Sequence, residues 1–244
     1  MKNSIQLVVT CALLITAVTH AQWSSSEKFK GNGKISTQTR TTPSYDAIVV
    51  TGFFDVELIS GKEGGITVKG EENLLSLIKV EVIDQQLKIY TQKNTYVSTS
   101  KGKQIVITVP VESINMISLT GSGDITSKSR IQSNSFSAKL IGSGDMKLEV
   151  ESNDIEVNLS GSGDLKLTGV TENLTSNLNG SGDIDASNLK AKNVNATVSG
   201  SGDTSVFCSL SIYARVLGSG AIEYTGDPTK KDTKVSGSGA ISRS

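Results

Sequence analysis

The sequence is short of the residues on which much enzyme chemistry relies. Its 244 residues include one His (His20), two Cys (Cys11 and Cys208) and three Pro. Phe, Trp and Tyr together make up 5%. Neither sign of charge prevails, because 24 Lys and Arg balance 24 Asp and Glu. Zero net charge removes the basic footprint expected of a nucleic-acid or anionic-membrane binder. Scarce aromatics argue against a base-stacking surface. No nucleic-acid partner is expected.

The N-terminus reads as a processing segment. Lys2 supplies a short basic region, Ile5 to Val18 is largely apolar, and Thr19-His20-Ala21 fits a small-x-small cleavage site. The run is shorter than the roughly 20 residues of a membrane span, and Val9-Thr10-Cys11 is a poor lipobox. Residues 1–21 are therefore expected to be a signal peptide. No second long apolar run follows, so the mature chain from Gln22 is expected to be exported without a transmembrane segment. It would reach the periplasm, the cell surface or the extracellular space. That chain holds no His and a single Cys, Cys208. A Ser-His-Asp triad, a Cys-His pair, a His-containing zinc site and an internal disulfide are all excluded. No catalytic residue, cofactor or metal is expected.

Glycine is what the sequence has in excess, 24 residues against about 17 expected at average usage. The tripeptide Gly-Ser-Gly begins at positions 121, 142, 161, 180, 200, 218 and 237, at intervals of 18–21 residues. Five copies continue into Asp: Gly121, Gly123 and Asp124; Gly142, Gly144 and Asp145; Gly161, Gly163 and Asp164; Gly180, Gly182 and Asp183; Gly200, Gly202 and Asp203. The last two continue into Ala221 and Ala240. Two residues before each tripeptide stands an apolar side chain: Leu119, Leu140, Leu159, Leu178, Val198, Val216 or Val235. Period-2 alternation on both sides of a turn means two half-buried strands per repeat. A meander of hairpins has the same local pattern. Near-identical columns at fixed offsets instead favour coils stacked in register, each covering its neighbour's apolar interior. The expected fold is all-β, a single-stranded parallel β-helix of about 19-residue coils. At about 4.8 Å per coil, the repeats would extend roughly 29 Å.

Gly suits a sharp corner because it reaches positive φ without a Cβ penalty, and stacked corners leave no room for a side chain. Five stacked Asp about 5 Å apart would repel by around 0.8 kcal/mol per pair even at water's dielectric constant. Hydrogen bonds from each residue's own corner are the expected compensation. Calcium along the row is the alternative, although one carboxylate per coil is a sparse donor set.

Residues 45–116 alternate like strands but lack Gly-Ser-Gly, and are expected to cap the solenoid or begin it irregularly. Glu72 to Ile78 fits about one helical turn, Asn94 to Lys103 a loop, and residues 22–44 a flexible lead-in. Gly52-Phe53-Phe54-Asp55-Val56, Glu72-Asn73-Leu74-Leu75 and the Leu-x-Gly-Ser-Gly-Asp run from Leu119 resemble the auto-transporter adhesin family with a head GIN domain, an exported family of Bacteroidetes. The resemblance covers about residues 45–241. It implies a right-handed β-helix, a head GIN domain at 45–244 (45–116, then the repeats at 117–244) and an adhesin-like task. No β-barrel translocator is recognisable in the chain.

Two functional classes follow. In the first, the protein is non-catalytic and contacts a glycan or a cell-surface protein through polar faces. Two outward strips are available, Ser118, Lys139, Asn158, Asn177, Thr197, Arg215 and Lys234, and Thr126, Lys147, Lys166, Asp185 and Ser205. In the second it is a polysaccharide lyase or hydrolase, an analogy from the scaffold alone. Glycoside hydrolysis needs two carboxylates in unlike environments, whereas the Asp repeat supplies equivalent ones. The first class is favoured.

Overall fold

The alternation continues throughout residues 27–244, the part of the chain that the computed structural model describes. The expected signal peptide lies outside it. Strands β1 (Glu27–Lys30), β2 (Ile35–Thr41), β3 (Ala47–Gly52), β4 (Asp55–Ser60) and β5 (Gly65–Glu71) lead into a single helical turn, α1 (Glu72–Leu75). Then come β6 (Ile78–Ile83), β7 (Gln86–Thr91), β8 (Thr95–Ser98), β9 (Val106–Val111), β10 (Met116–Gly121) and β11 (Ile125–Ser127). Long coil strands follow: β12 (Ile131–Gly142), β13 (Met146–Gly161), β14 (Leu165–Gly180), β15 (Ile184–Gly200) and β16 (Thr204–Gly218). β17 (Ala221–Thr225), β18 (Lys230–Gly237) and β19 (Ala240–Arg243) complete the order.

From β10 onward each coil pairs with the next in parallel, corner over corner. Leu119, Leu140, Leu159, Leu178, Val198 and Val216 form one continuous register column, and all are buried. The fold is a β-solenoid of about seven turns with coils of about 19 residues, as the repeat implies. The first glycine of a corner is required by both its positive φ and close approach, the second by close approach alone. Gly142 has φ of 130°, and a Cβ there would stand 2.1 Å from the Gly121 carbonyl oxygen. Gly144 meets the Gly123 carbonyl oxygen at 2.0 Å, so the second glycine is required by close approach.

The N-terminal part departs from expectation. β3 pairs in parallel with β10, aligning Gly52 with Gly121, and β4 pairs with β11, aligning Val56 with Ile125. Gly52-Phe53-Phe54-Asp55 is thus a further corner of the same solenoid, with the buried Phe54 in place of the second glycine. β7 and β9 add another parallel layer beneath β3 and β4. Residues 61–115 are an excursion between two coils that touch, which hides the continuity from a search for fixed intervals. β2 pairs antiparallel with β5, and β6 with β7.

Two loop expectations also fail in part. Residues 27–30 and 35–41, assigned to a flexible lead-in, are paired strands, and β8 inside the expected 94–103 loop is the partner of β1. Their polar sequences hide this, because these strands are held mainly by backbone pairing and by Glu71. That buried carboxylate accepts hydrogen bonds from the Gly33 N–H at 2.5 Å, the Ser100 N–H at 2.8 Å and the Ser100 hydroxyl at 2.6 Å. The helical turn appears where expected, burying Leu74 and Leu75. No helix among the described residues is long and apolar enough to cross a membrane.

Candidate functional site

The solenoid brings the corner Asp residues together in a row, but their hydrogen bonds are not those expected. Each carboxylate reaches the next coil, not its own corner. Asp124 Oδ1 accepts the Asp145 N–H at 3.0 Å, Asp145 Oδ1 the Asp164 N–H at 3.0 Å, and Asp164 Oδ1 the Asp183 N–H at 3.1 Å. Asp183 Oδ1 accepts from Asp203 at 2.8 Å, and Asp203 Oδ1 closes the series on the Ala221 N–H at 2.7 Å. In return, the residue after each of Asp124, Asp145, Asp164 and Asp183 donates to the main-chain carbonyl of the next Asp, as Met146 does to Asp164 at 2.9 Å. A corner breaks the regular strand ladder, and the carboxylate restores one acceptor per coil.

Asp55 begins the row, with Asp124 N–H 3.4 Å from its Oδ1. Burial pushes its pKa up, with Asp124 and Glu57 adding like charge against the opposing Asp124 N–H bond. Beside the row, Thr126, Lys147, Lys166, Asp185 and Ser205 stand in register as expected. Lys166 Nζ bonds Asp185 Oδ2 at 2.5 Å. Burial raises the Asp185 pKa, but bonds from Lys166 and Ser187 outweigh it and hold the carboxyl below its ordinary value. A groove of about 260 Å³ over this face is lined by Asp124, Asp145, Asp164, Lys147 and Lys166. No group of three or more His, Cys, Asp or Glu side chains suited to a metal occurs among the described residues. Cys208 is buried, its thiol 2.9 Å from the Ser211 carbonyl oxygen, and burial pushes its pKa up.

A second column escaped the sequence reading. Ser135, Asp154, Asn173, Asn193 and Ser211 are in register, each seven residues before a corner glycine. That fixed offset was the available signal. Asn173 Nδ2 donates to Asp154 Oδ1 at 2.8 Å, Asn193 Nδ2 to Asn173 Oδ1 at 2.9 Å, and Ser211 Oγ to Asn193 Oδ1 at 2.6 Å. Two residues on, Glu156, Thr175, Asn195, Tyr213 and Asp232 form a parallel outward column. Between the two columns lies a groove of about 440 Å³.

Comparison with known proteins agrees with this architecture. A putative adhesin from Bacteroides fragilis is 27% identical, with a TM-score of 0.81 over 88% of this chain and 100% of that one. A putative lipid binding protein from Parabacteroides distasonis is 24% identical, with a TM-score of 0.74 over 89% of this chain and 100% of that one. A putative adhesin from the same organism is 20% identical, with a TM-score of 0.67 over the same shares. These last two share the fold. Among curated proteins none matches the chain. Residues 44–228 match the family model described as putative auto-transporter adhesin, head GIN domain, and the chain belongs to that family.

Proposed function

We propose that the protein is an exported, non-catalytic recognition module of the cell envelope, which holds a glycan or a surface protein against its polar solenoid faces. The observation that carries this reading is the registration of outward side chains. Asn158 and Asn177, or Asn173 and Asn193, are joined by amide hydrogen bonds of 3.0 and 2.9 Å across successive coils. Such rows hold donors and acceptors at fixed spacing before a partner arrives, which lowers the ordering cost of binding. Family membership and the adhesin relative from Bacteroides fragilis support the same direction.

The hydrolase or lyase alternative has less behind it. Asp55 and Asp124 do differ in environment, but Asp55 is not among the residues lining the groove over the Asp row. The carboxylates of Asp124, Asp145 and Asp164 are each committed to a backbone N–H. The test uses the mature chain in two assays. A glycan array and a cell-surface pull-down are expected to yield a specific partner, and blanks in both overturn the recognition reading. Incubation with acidic and neutral polysaccharides is expected to release no reducing ends and no unsaturated uronides; release of either overturns the non-catalytic reading.

A further inference from the structure

We infer that the groove between the Asn193 and Tyr213 columns is a binding site for a linear acidic polysaccharide lying along the solenoid axis. This rests on the recognition reading above and assigns it a place and a ligand class. Successive coils repeat at about 4.8 Å, comparable to the length of one pyranose ring, so neighbouring rungs meet neighbouring sugars of an extended chain in the same way.

A primary amide has two N–H donors and a carbonyl acceptor. Asn173 and Asn193 each spend one N–H on the rung below and their carbonyl oxygen on the rung above. These bonds fix the amide orientation and leave one N–H on each for a hydroxyl or carboxylate. Thr175 and the exposed Asn195 line the opposite side.

Tyr213 is 43% exposed and lines the groove. The Arg215 guanidinium lies 3.7 Å from its ring centroid and is itself held by Asp232, Nη2 to Oδ1 at 2.8 Å. The phenol is therefore braced on one face. An aromatic face accepts the electropositive C–H edge of a sugar, and its hydroxyl is a polar handle. Arg215 compensates Asp232, and Lys230, in register with Ser211 at the last rung of the Asn193 column, lines the groove with no ion-pair partner among the described residues and offers its ammonium to the carboxylate of a sugar there. Lys231, in register with the buried Ile212, instead turns its ammonium to the Tyr224 ring, 6.0 Å from the centroid.

The experiment is titration of the mature chain with alginate and galacturonate oligosaccharides, their methyl esters, and neutral cello-oligosaccharides, followed by calorimetry. The acidic forms are expected to bind more tightly than the esters, and the preference to shrink as salt rises. Tyr213→Ala should weaken binding about tenfold. Asn195→Glu, at an exposed position, should weaken it independently through repulsion, and Lys230→Gln should abolish the acid-over-ester preference. Thermal midpoints identify any variant that misfolds. Acidic glycan binding that survives both Tyr213→Ala and Asn195→Glu overturns this site while leaving the recognition reading intact. Binding confined to neutral glycans or to esters overturns the charge assignment. Binding of no glycan overturns the site, and if the pull-down is also blank, the recognition reading falls with it.

Discussion

Glycine and hydroxyl positions let single-residue arguments be checked without knowing the ligand. Gly144 sits where an added Cβ would meet backbone at 2.0 Å, whereas Gly65 has nothing within 4 Å and no positive φ. Gly163→Ala, equivalent to the change at Gly144, must displace a whole coil, and a destabilisation of about 3 kcal/mol is expected from overpacking. Gly65→Ala should be neutral or stabilise by about 0.5 kcal/mol through the unfolded chain. Urea melts of the two variants check the contrast, and equal costs would refute the close-approach argument. Thr204 makes the opposite case. It stands between Ile184 and Ile222 in an apolar column, buried, and its hydroxyl has no hydrogen-bond partner. Thr204→Val removes an unpaired polar atom while keeping the shape, so stability should rise by about 1 kcal/mol. A lower melting temperature for this variant would mean the hydroxyl is satisfied in solution.

At the scale of the element, the carboxylate ladder and the Glu71 clasp are separable. Asp164→Asn keeps a side-chain oxygen for the Asp183 N–H and removes charge between Asp145 and Asp183, so its stability should equal or exceed the parent's at low salt. Asp164→Ala leaves that N–H without its acceptor and should cost about 1–2 kcal/mol. Equal losses in both would show that charge, not the acceptor, matters. For Glu71, burial raises the pKa, but the bonds from Ser100 and Gly33 outweigh it, and the net shift is downward from the ordinary 4.5. A depressed folded-state pKa gives stability that is present above the unfolded value and lost as pH falls through the folded one. The stability advantage over Glu71→Gln should therefore be widest above about pH 5 and close on further acidification, as thermal melts across pH would record. These elements also mark the limit of sequence reading. The corner columns were legible because Gly-Ser-Gly repeats without interruption and each glycine has a steric reason to stay. Gly52-Phe53-Phe54-Asp55 was not, because Phe54 replaces a glycine and a 55-residue excursion breaks the interval. The Asn193 column was missed for another reason. Ser, Asp and Asn alternate there freely, since any side chain able to pass on a hydrogen bond serves, and identity is not preserved from rung to rung.

For the whole molecule, stacking makes stability a sum over neighbours, because each coil touches only the one before and the one after. β14 and β15 are paired along their lengths on both sides. β18 pairs only with β16, and every residue in it is exposed, Val235 included at 39%. Local opening should follow that gradient, since regions with few buried contacts open at low free energy. Amide hydrogen exchange is then expected to be slowest in β13–β15 and, among the coils, fastest in β18 and β19. Uniform protection would imply that the coils melt as one unit and would contradict the nearest-neighbour picture. The gradient bears on recognition, because the groove beside Tyr213 spans β14 to β18 and so crosses from the best-protected coils to the least. An oligosaccharide bridging those rungs ties β18 to β14 through contacts that the free chain lacks. Exchange in β18 should slow when an acidic oligosaccharide binds, while β13, remote from the groove's outer end, stays unchanged. Slowing spread evenly over all coils would place the ligand elsewhere.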